Sequence, residues 1–225
     1  MESRSIAIDG PSGAGKSTLA RLTAKEFGLI YVDTGALYRS VGLFALRRKV
    51  ASKDEENVAL LLPEIDIDIR YDEEGLQRMI LNGEDITDEI RLPEVSIYAS
   101  DVSAMPPVRA FLLSTQREMA QKNDVIMDGR DIGTVVIPNA GLKIFLTAQP
   151  EERARRRYKE LMEKNVAVTY EEVLRDIEYR DKNDSERSAA PLRAAPDAVF
   201  VDTTGKSLDE CFRIICALVK EKLDL

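Results

Sequence analysis

The chain has 225 residues, 44% of them hydrophobic, and a formal net charge of −8, enough apolar content to bury the core of one large domain. It contains no histidine and two cysteines, which excludes a Ser-His-Asp triad, histidine general bases and metal ligands, and a disulfide framework. Any chemistry must rest on Lys, Arg, Asp, Ser, Thr and a metal ion.

The first apolar run, Ser5–Asp9, reads as a buried strand. It enters Gly10-Pro-Ser-Gly-Ala-Gly-Lys-Ser-Thr18, which fits G-x-x-x-x-G-K-[ST] with Gly10, Gly15, Lys16 and Ser17 in the defining places. A helical run from Lys16 to Phe27 follows. Strand, glycine-rich turn and helix together make a phosphate cradle. The glycines let backbone N–H groups converge on phosphate oxygens, the helix start adds partial positive charge, Lys16 adds a full one, and the Ser17 hydroxyl can hold Mg²⁺. Gly10, Pro11, Ser12, Gly13, Ala14, Gly15, Lys16, Ser17 and Thr18 are therefore the candidate loop for a nucleoside triphosphate.

A second strand, Leu29–Asp33, leads into Asp33-Thr-Gly-Ala-Leu-Tyr-Arg39, where Leu37, Val41 and Phe44 keep helical spacing. The next stretch is acidic. Fourteen acids and four bases lie between Lys53 and Glu94, a net of −10, which leaves +2 for the rest of the chain. Ile65-Asp-Ile-Asp-Ile-Arg-Tyr71 alternates with period two and predicts a half-exposed antiparallel strand. Asp72–Gly75 makes a turn, Met79–Leu81 a second strand, and Asn82-Gly83 a tight hairpin into Glu84–Ile86. Pro106 and Pro107 open a helix carrying Val108, Phe111, Leu112 and Met119.

A third strand, Val125–Asp128, runs into Asp128-Gly-Arg-Asp-Ile-Gly-Thr134, and a fourth is Leu142–Thr147. Two charged helices follow, the second opened by a capping box at Thr169–Glu172. Arg153, Arg155, Arg156 and Arg157 in the first suit either a solvated face or a lid over triphosphate. Arg180, Asp184 and Arg187 stand at i, i+4 and i+7, on one helix face, as a salt-bridge ladder or as a site. A fifth strand, Ala198–Asp202, precedes a capping box at Ser207–Glu210 and a last helix with Leu208, Phe212, Ile215 and Val219. Cys211 and Cys216 lie five apart in that helix and read as buried thiols.

Alternating strands and helices imply an α/β fold with a parallel sheet and ligands at its carboxyl edge. Four of the five strands end in aspartate there. Arg39 and Arg130 follow strands at that edge, and each suits either a phosphate grip or a plain ion pair. The apolar runs are too short to span a membrane, the N-terminal residues lack a cleavable signal layout, and no basic block interleaved with aromatics suggests nucleic acid. The expectation is a cytoplasmic protein, monomeric, with no nucleic-acid or membrane partner.

DTGALYR at Asp33–Arg39, DGRDIGT at Asp128–Thr134 and RDKNDSER at Arg180–Arg187 together resemble the bacterial-type cytidylate kinases, which are P-loop nucleoside monophosphate kinases. The resemblance runs over essentially the whole chain. It implies a single P-loop kinase domain over 1–225: a five-stranded parallel core flanked by helices, with an inserted antiparallel monophosphate-binding subdomain at 51–93 and a helical lid at 150–183. It implies transfer of the γ-phosphoryl group of ATP to CMP and dCMP, with Mg²⁺. Lys16, Arg130, Arg187 and Asp131 would be catalytic, and Arg156 would join the ATP loop. Thr34, Arg39, Ser100, Arg109, Arg130, Asp131, Arg180, Asp184 and Arg187 would bind CMP: Arg39 and Arg130 at the phosphate, Ser100, Arg109 and Asp131 at the cytosine, Arg180 and Asp184 at the ribose. Ser17 would hold the metal, with Thr18 as the alternative because some members carry glycine at the position of Ser17.

Cytosine chemistry fits this pattern. An aspartate accepts from the exocyclic amine, while arginine and serine donate to N3 and O2. Uracil would turn an acceptor toward Asp131, a mismatch worth about 1–3 kcal/mol, hence at least a roughly tenfold preference for CMP. The competing expectations are a kinase for another small acceptor such as UMP, and a nucleotide-dependent regulatory protein. The Asn-Lys-x-Asp base reader of guanine-specific switches is missing from the sequence.

Overall fold

The structure is a computed structural model and describes residues 4–223; the outermost residues of the expected 1–225 domain lie outside the described residues. The elements in chain order are β1 (Ser5–Asp9), α1 (Lys16–Phe27), β2 (Ile30–Asp33), α2 (Thr34–Arg47), α3 (Glu55–Leu61), β3 (Ile67–Tyr71), β4 (Gln77–Leu81), β5 (Glu84–Asp85), α4 (Pro93–Val102), α5 (Pro106–Lys122), β6 (Val125–Gly129), β7 (Leu142–Thr147), α6 (Pro150–Glu163), α7 (Tyr170–Glu186), β8 (Val199–Asp202) and α8 (Leu208–Leu223). One sheet has five strands in the order β2-β6-β1-β7-β8, the other three in the order β3-β4-β5. β1 pairs in parallel with β6 and β7, and β7 with β8. The expected parallel core and the small antiparallel sheet are both present.

Two compact units divide the chain: Met1–Tyr31 with Met119–Leu225, and Val32–Glu118. The first holds a core of Ile6, Ile8, Leu19, Ile126, Ile144, Leu146 and Ile215. Leu19 of α1 and Ile215 of α8 pack on side chains of central strands buried on both faces, which is why β1, β6 and β7 read as continuous apolar runs. α6 and α7 pack on each other through Ala154, Leu161, Val173 and Ile177. The capping box at Thr169 is formed, as is the one at Ser207, whose Oγ accepts from Glu210 N while Glu210 accepts from Ser207 N.

The second unit has its own core, including Leu37, Val41, Val58, Met79, Ile86, Ile90, Val95 and Leu112. Gly42 lets α2 and α4 approach closely, since a Cβ there would lie 3.0 Å from Ala99 N. The hairpin turn uses left-handed Asn82 (φ 50°) and Gly83 (φ 85°), the geometry of a two-residue hairpin loop. Part of the acid excess is paired within the unit. Arg47 binds Glu84 and Glu89, Arg48 binds Glu64, and Arg78 binds Asp85, exposed pairs that contribute little to stability. Both cysteines are free thiols, Cys211 buried and Cys216 half-buried.

Candidate functional site: a glycine-rich loop and its arginine–aspartate pairs

In the first unit, Gly10 to Thr18 leaves the carboxyl end of β1 and wraps into α1. Gly10 has φ 150°, and a Cβ there would fall 1.9 Å from the Leu146 carbonyl oxygen; only glycine fits. Gly13 and Gly15 have φ of 75° and 93°, left-handed values that glycine takes at no steric cost. α1 opens at Gly15 with no side-chain cap, so its first N–H groups are presented to the loop, an anion-binding arrangement.

Lys16 is buried, and its Nζ donates to the Pro11 carbonyl at 2.8 Å. Burial, then the charge of Arg130, push its pKa down to about 7. The Ser17 hydroxyl donates to Asp128 Oδ2 at 2.9 Å, while Tyr31 Oη donates to Asp128 Oδ1 at 2.8 Å. Thr18 is exposed. Ser12 is held on two sides: its carbonyl accepts from Arg153 Nη1 at 3.0 Å and its hydroxyl from Arg180 Nη1 at 2.7 Å.

The loop after β6 carries the second arginine. Arg130 Nε donates to Asp184 Oδ2 at 2.6 Å, and Arg187 Nη2 to Asp131 Oδ1 at 3.2 Å. Both carboxylates are buried. Burial raises the Asp184 carboxyl, but Arg130, Arg180 and Arg187 together outweigh it and leave the pKa below the usual carboxylate value. The first unit thus brings Lys16, Arg130, Asp131, Arg180, Asp184 and Arg187 into one ionic network joined to the glycine-rich loop. One expectation is corrected: α7 ends at Glu186, and Arg187 sits past it with φ −60° and ψ 140°. Arg187 therefore leaves the helix face of Arg180 and Asp184, and the ladder gives way to pairs with the loop after β6.

The arginine run divides as well. Arg153 is 3% exposed in its side chain and pairs with Asp181 at 2.5 Å, so neither expectation for the run describes it. Arg156 donates to the Thr203 carbonyl at 2.8 Å and the Thr203 hydroxyl at 3.0 Å. Arg155 and Arg157 pair with Glu152 and Glu160.

The second unit holds the other candidate residues. Asp33 caps α2, its Oδ1 accepting from Ala36 N at 3.0 Å, and Thr34 is the first helical residue, buried. Asp33 Oδ2 accepts from Arg39 Nη2 at 2.7 Å and from Arg91 Nη2 at 2.8 Å. Burial pulls this carboxyl up, but Arg39 and then Arg91 outweigh it and hold it far below the usual range. Gly35 leaves room for this arrangement, because a Cβ there would meet Arg39 Nη1 at 3.1 Å. Ser103 links the two remaining candidates: its hydroxyl donates to the Ser100 carbonyl at 2.8 Å, and its carbonyl accepts from Arg109 Nη1 at 3.2 Å. The Arg109 guanidinium also lies 5.8 Å from the Tyr38 ring centre, a cation–π distance.

Sequence reasoning misses Arg91, Tyr31 and Ser103. Arg91 had a signal, a lone arginine among acids just before Pro93; Tyr31 and Ser103 had none, since their roles come from packing.

A family model described as cytidylate kinase matches residues 6–221. A cytidylate kinase of Caldicellulosiruptor bescii is 50% identical over 97% of this chain and 96% of its own length. One from Thermosipho melanesiensis is 50% identical over 98% of each. Among solved structures, a gluconokinase from Sinorhizobium meliloti aligns with a TM-score of 0.50 at 14% identity, covering 98% of this chain and 94% of that one, a likeness of fold alone. With a phosphate loop, arginine–aspartate edges and near-complete alignment in agreement, the chain belongs to the cytidylate kinase family.

Proposed function

We infer that this enzyme transfers the γ-phosphoryl group of ATP to CMP, giving CDP and ADP, with dCMP as a second acceptor. The observation that carries this reading is the register of β1 and β6, which are parallel neighbours with Asp9 opposite Gly129. The glycine-rich loop and the Arg130 loop therefore leave the sheet side by side. One is built for a triphosphate, the other offers arginine for a second phosphate.

The roles follow from the chemistry of each group. The N–H groups from Gly10 to Thr18, with Lys16, hold the donor phosphates, and Arg156 bears on the donor from α6. Arg130 is the grip for the acceptor phosphate beside the glycine-rich loop, and the family resemblance gives Arg39 the same task. The family resemblance gives Thr34, Ser100 and Arg109 to the acceptor nucleoside, and Asp131 the role of accepting from the cytosine amine. Arg180 and Asp184 meet the ribose, and Arg187 bears on the transferring group.

Mg²⁺ fits this chain. The Ser17 hydroxyl and the Asp128 carboxylate form a hard-oxygen pair at 2.9 Å, and Mg²⁺ takes few protein ligands beside phosphate oxygens and waters. That pair supports Ser17 over Thr18 as the metal residue. When bound, the cation neutralises charge on the donor phosphates. Phosphoryl transfer needs alignment and charge neutralisation more than a general base, and this suits a chain without histidine.

The test is product analysis. ADP and CDP should appear in equal amounts when ATP and CMP are both present, with little ATP consumed when CMP is omitted. ATP turnover that ignores CMP would favour the regulatory reading instead.

A further inference from the structure

Asp9 is a buried carboxylate that the transfer just described does not use. It closes β1, and it is 4% exposed. Its Oδ1 accepts from Ile132 N at 2.7 Å and its Oδ2 from Gly133 N at 2.8 Å. These residues begin the wide π-helical turn Ile132–Val136, directly after Arg130 and Asp131.

Asp131 stands at the cap position of that turn, yet its side chain makes no capping hydrogen bond. An aspartate there ordinarily turns its carboxylate onto the N–H groups of the first turn. Here the Gly133 N–H is committed to Asp9, and the Asp131 carboxylate goes to Arg187. The fit is close, since a Cβ on Gly133 would lie 3.4 Å from Asp9 Oδ2 and 3.1 Å from the Lys143 chain. Burial pushes the Asp9 carboxyl up to about 6 and Asp131 adds to this, while the two N–H groups and Lys16 oppose it. The two N–H bonds thus favour the ionised carboxylate in a place where burial opposes it.

We propose that Asp9 is a positioning residue for the acceptor base: it caps the Ile132–Val136 turn from the neighbouring strand, which leaves the Asp131 carboxylate to Arg187 and the nucleotide rather than to its own backbone. This rests on the reading of Asp131 as the reader of the cytosine amine. In Asp9→Asn, one N–H faces an amide NH₂ instead of an acceptor. Asp131 then falls back to cap its own turn.

The experiment is a double-mutant cycle. KM and kcat for CMP and UMP are measured at saturating ATP in wild type, Asp9→Asn, Asp131→Ala and the double variant. Asp9→Asn should raise KM for CMP about tenfold, more than it lowers kcat, and narrow the CMP-over-UMP ratio. In the Asp131→Ala background it should leave that ratio unmoved; a merely structural role would instead scale both substrates alike and keep the ratio even with Asp131 in place. An unchanged ratio in Asp131→Ala would overturn the base-reading role and this inference with it. A narrowed ratio in Asp131→Ala beside an unchanged one in Asp9→Asn would overturn the Asp9 role alone. Should Asp9→Asn not fold, the wild-type amide protons of Ile132 and Gly133 decide by NMR. The two hydrogen bonds should hold both amides against exchange with solvent, and exchange as fast as in an open loop would overturn the proposal.

Discussion

Lys16 is a cation held in a place that disfavours its charge. Its pKa of about 7 comes first from burial and then from Arg130, so near neutral pH its ammonium is only partly protonated. A triphosphate brings far more negative charge than the Pro11 carbonyl it now contacts, and would draw a proton onto it. ATP binding at about pH 8 should therefore take up protons, read by calorimetry in two buffers of different ionisation enthalpy; identical heats would contradict this. Lys16→Ala should abolish transfer while keeping a cooperative melting transition, because the substitution removes a cation the fold does not favour. Wild-type turnover in that variant would remove Lys16 from the donor site.

Among the elements, the glycine-rich loop is held by its neighbours as much as by its own sequence. A Cβ at Gly10 would fall 1.9 Å from a β7 carbonyl. Gly10→Ala should therefore cost about 1–3 kcal/mol or more of stability, measured by urea unfolding; a change within experimental error would show that β7 yields. The elements themselves were largely legible. Central strands show as apolar runs, β3 shows its period of two, and both capping boxes stand at their helix starts. The end of α7 was not legible, because Arg187 keeps helical spacing while its side chain pairs with Asp131, 56 positions away in sequence. The fate of Arg153 was equally hidden, since only its packed surroundings separate it from the arginines beside it. The candidate residues were readable as types, but the partner that holds each arginine, whether carboxylate, carbonyl or hydroxyl, is set by tertiary packing.

Over the whole molecule, the buried carboxylates act on stability with opposite signs. Asp33 and Asp184 have pKa values lowered below 3.8; their contribution is present above that value and is lost as pH falls through the folded pKa. Asp9 is raised from 3.8 to about 6, so its contribution is present below 3.8 and lost as pH rises through 6. Stability should fall steeply on the acid side. Asp33→Asn should flatten that limb in urea unfolding followed from about pH 5 down to about pH 2, and an unaltered limb would mean that the arginine pairs of Asp33 add nothing net.

The fold and the family membership leave one question at the centre, which is how the acceptor base is chosen. The most direct measurement is kcat/KM of the wild-type enzyme for CMP and for UMP at saturating ATP. CMP is expected to lead by at least about tenfold, because uracil would face the Asp131 carboxylate with an acceptor. Equal values for the two nucleotides would contradict it.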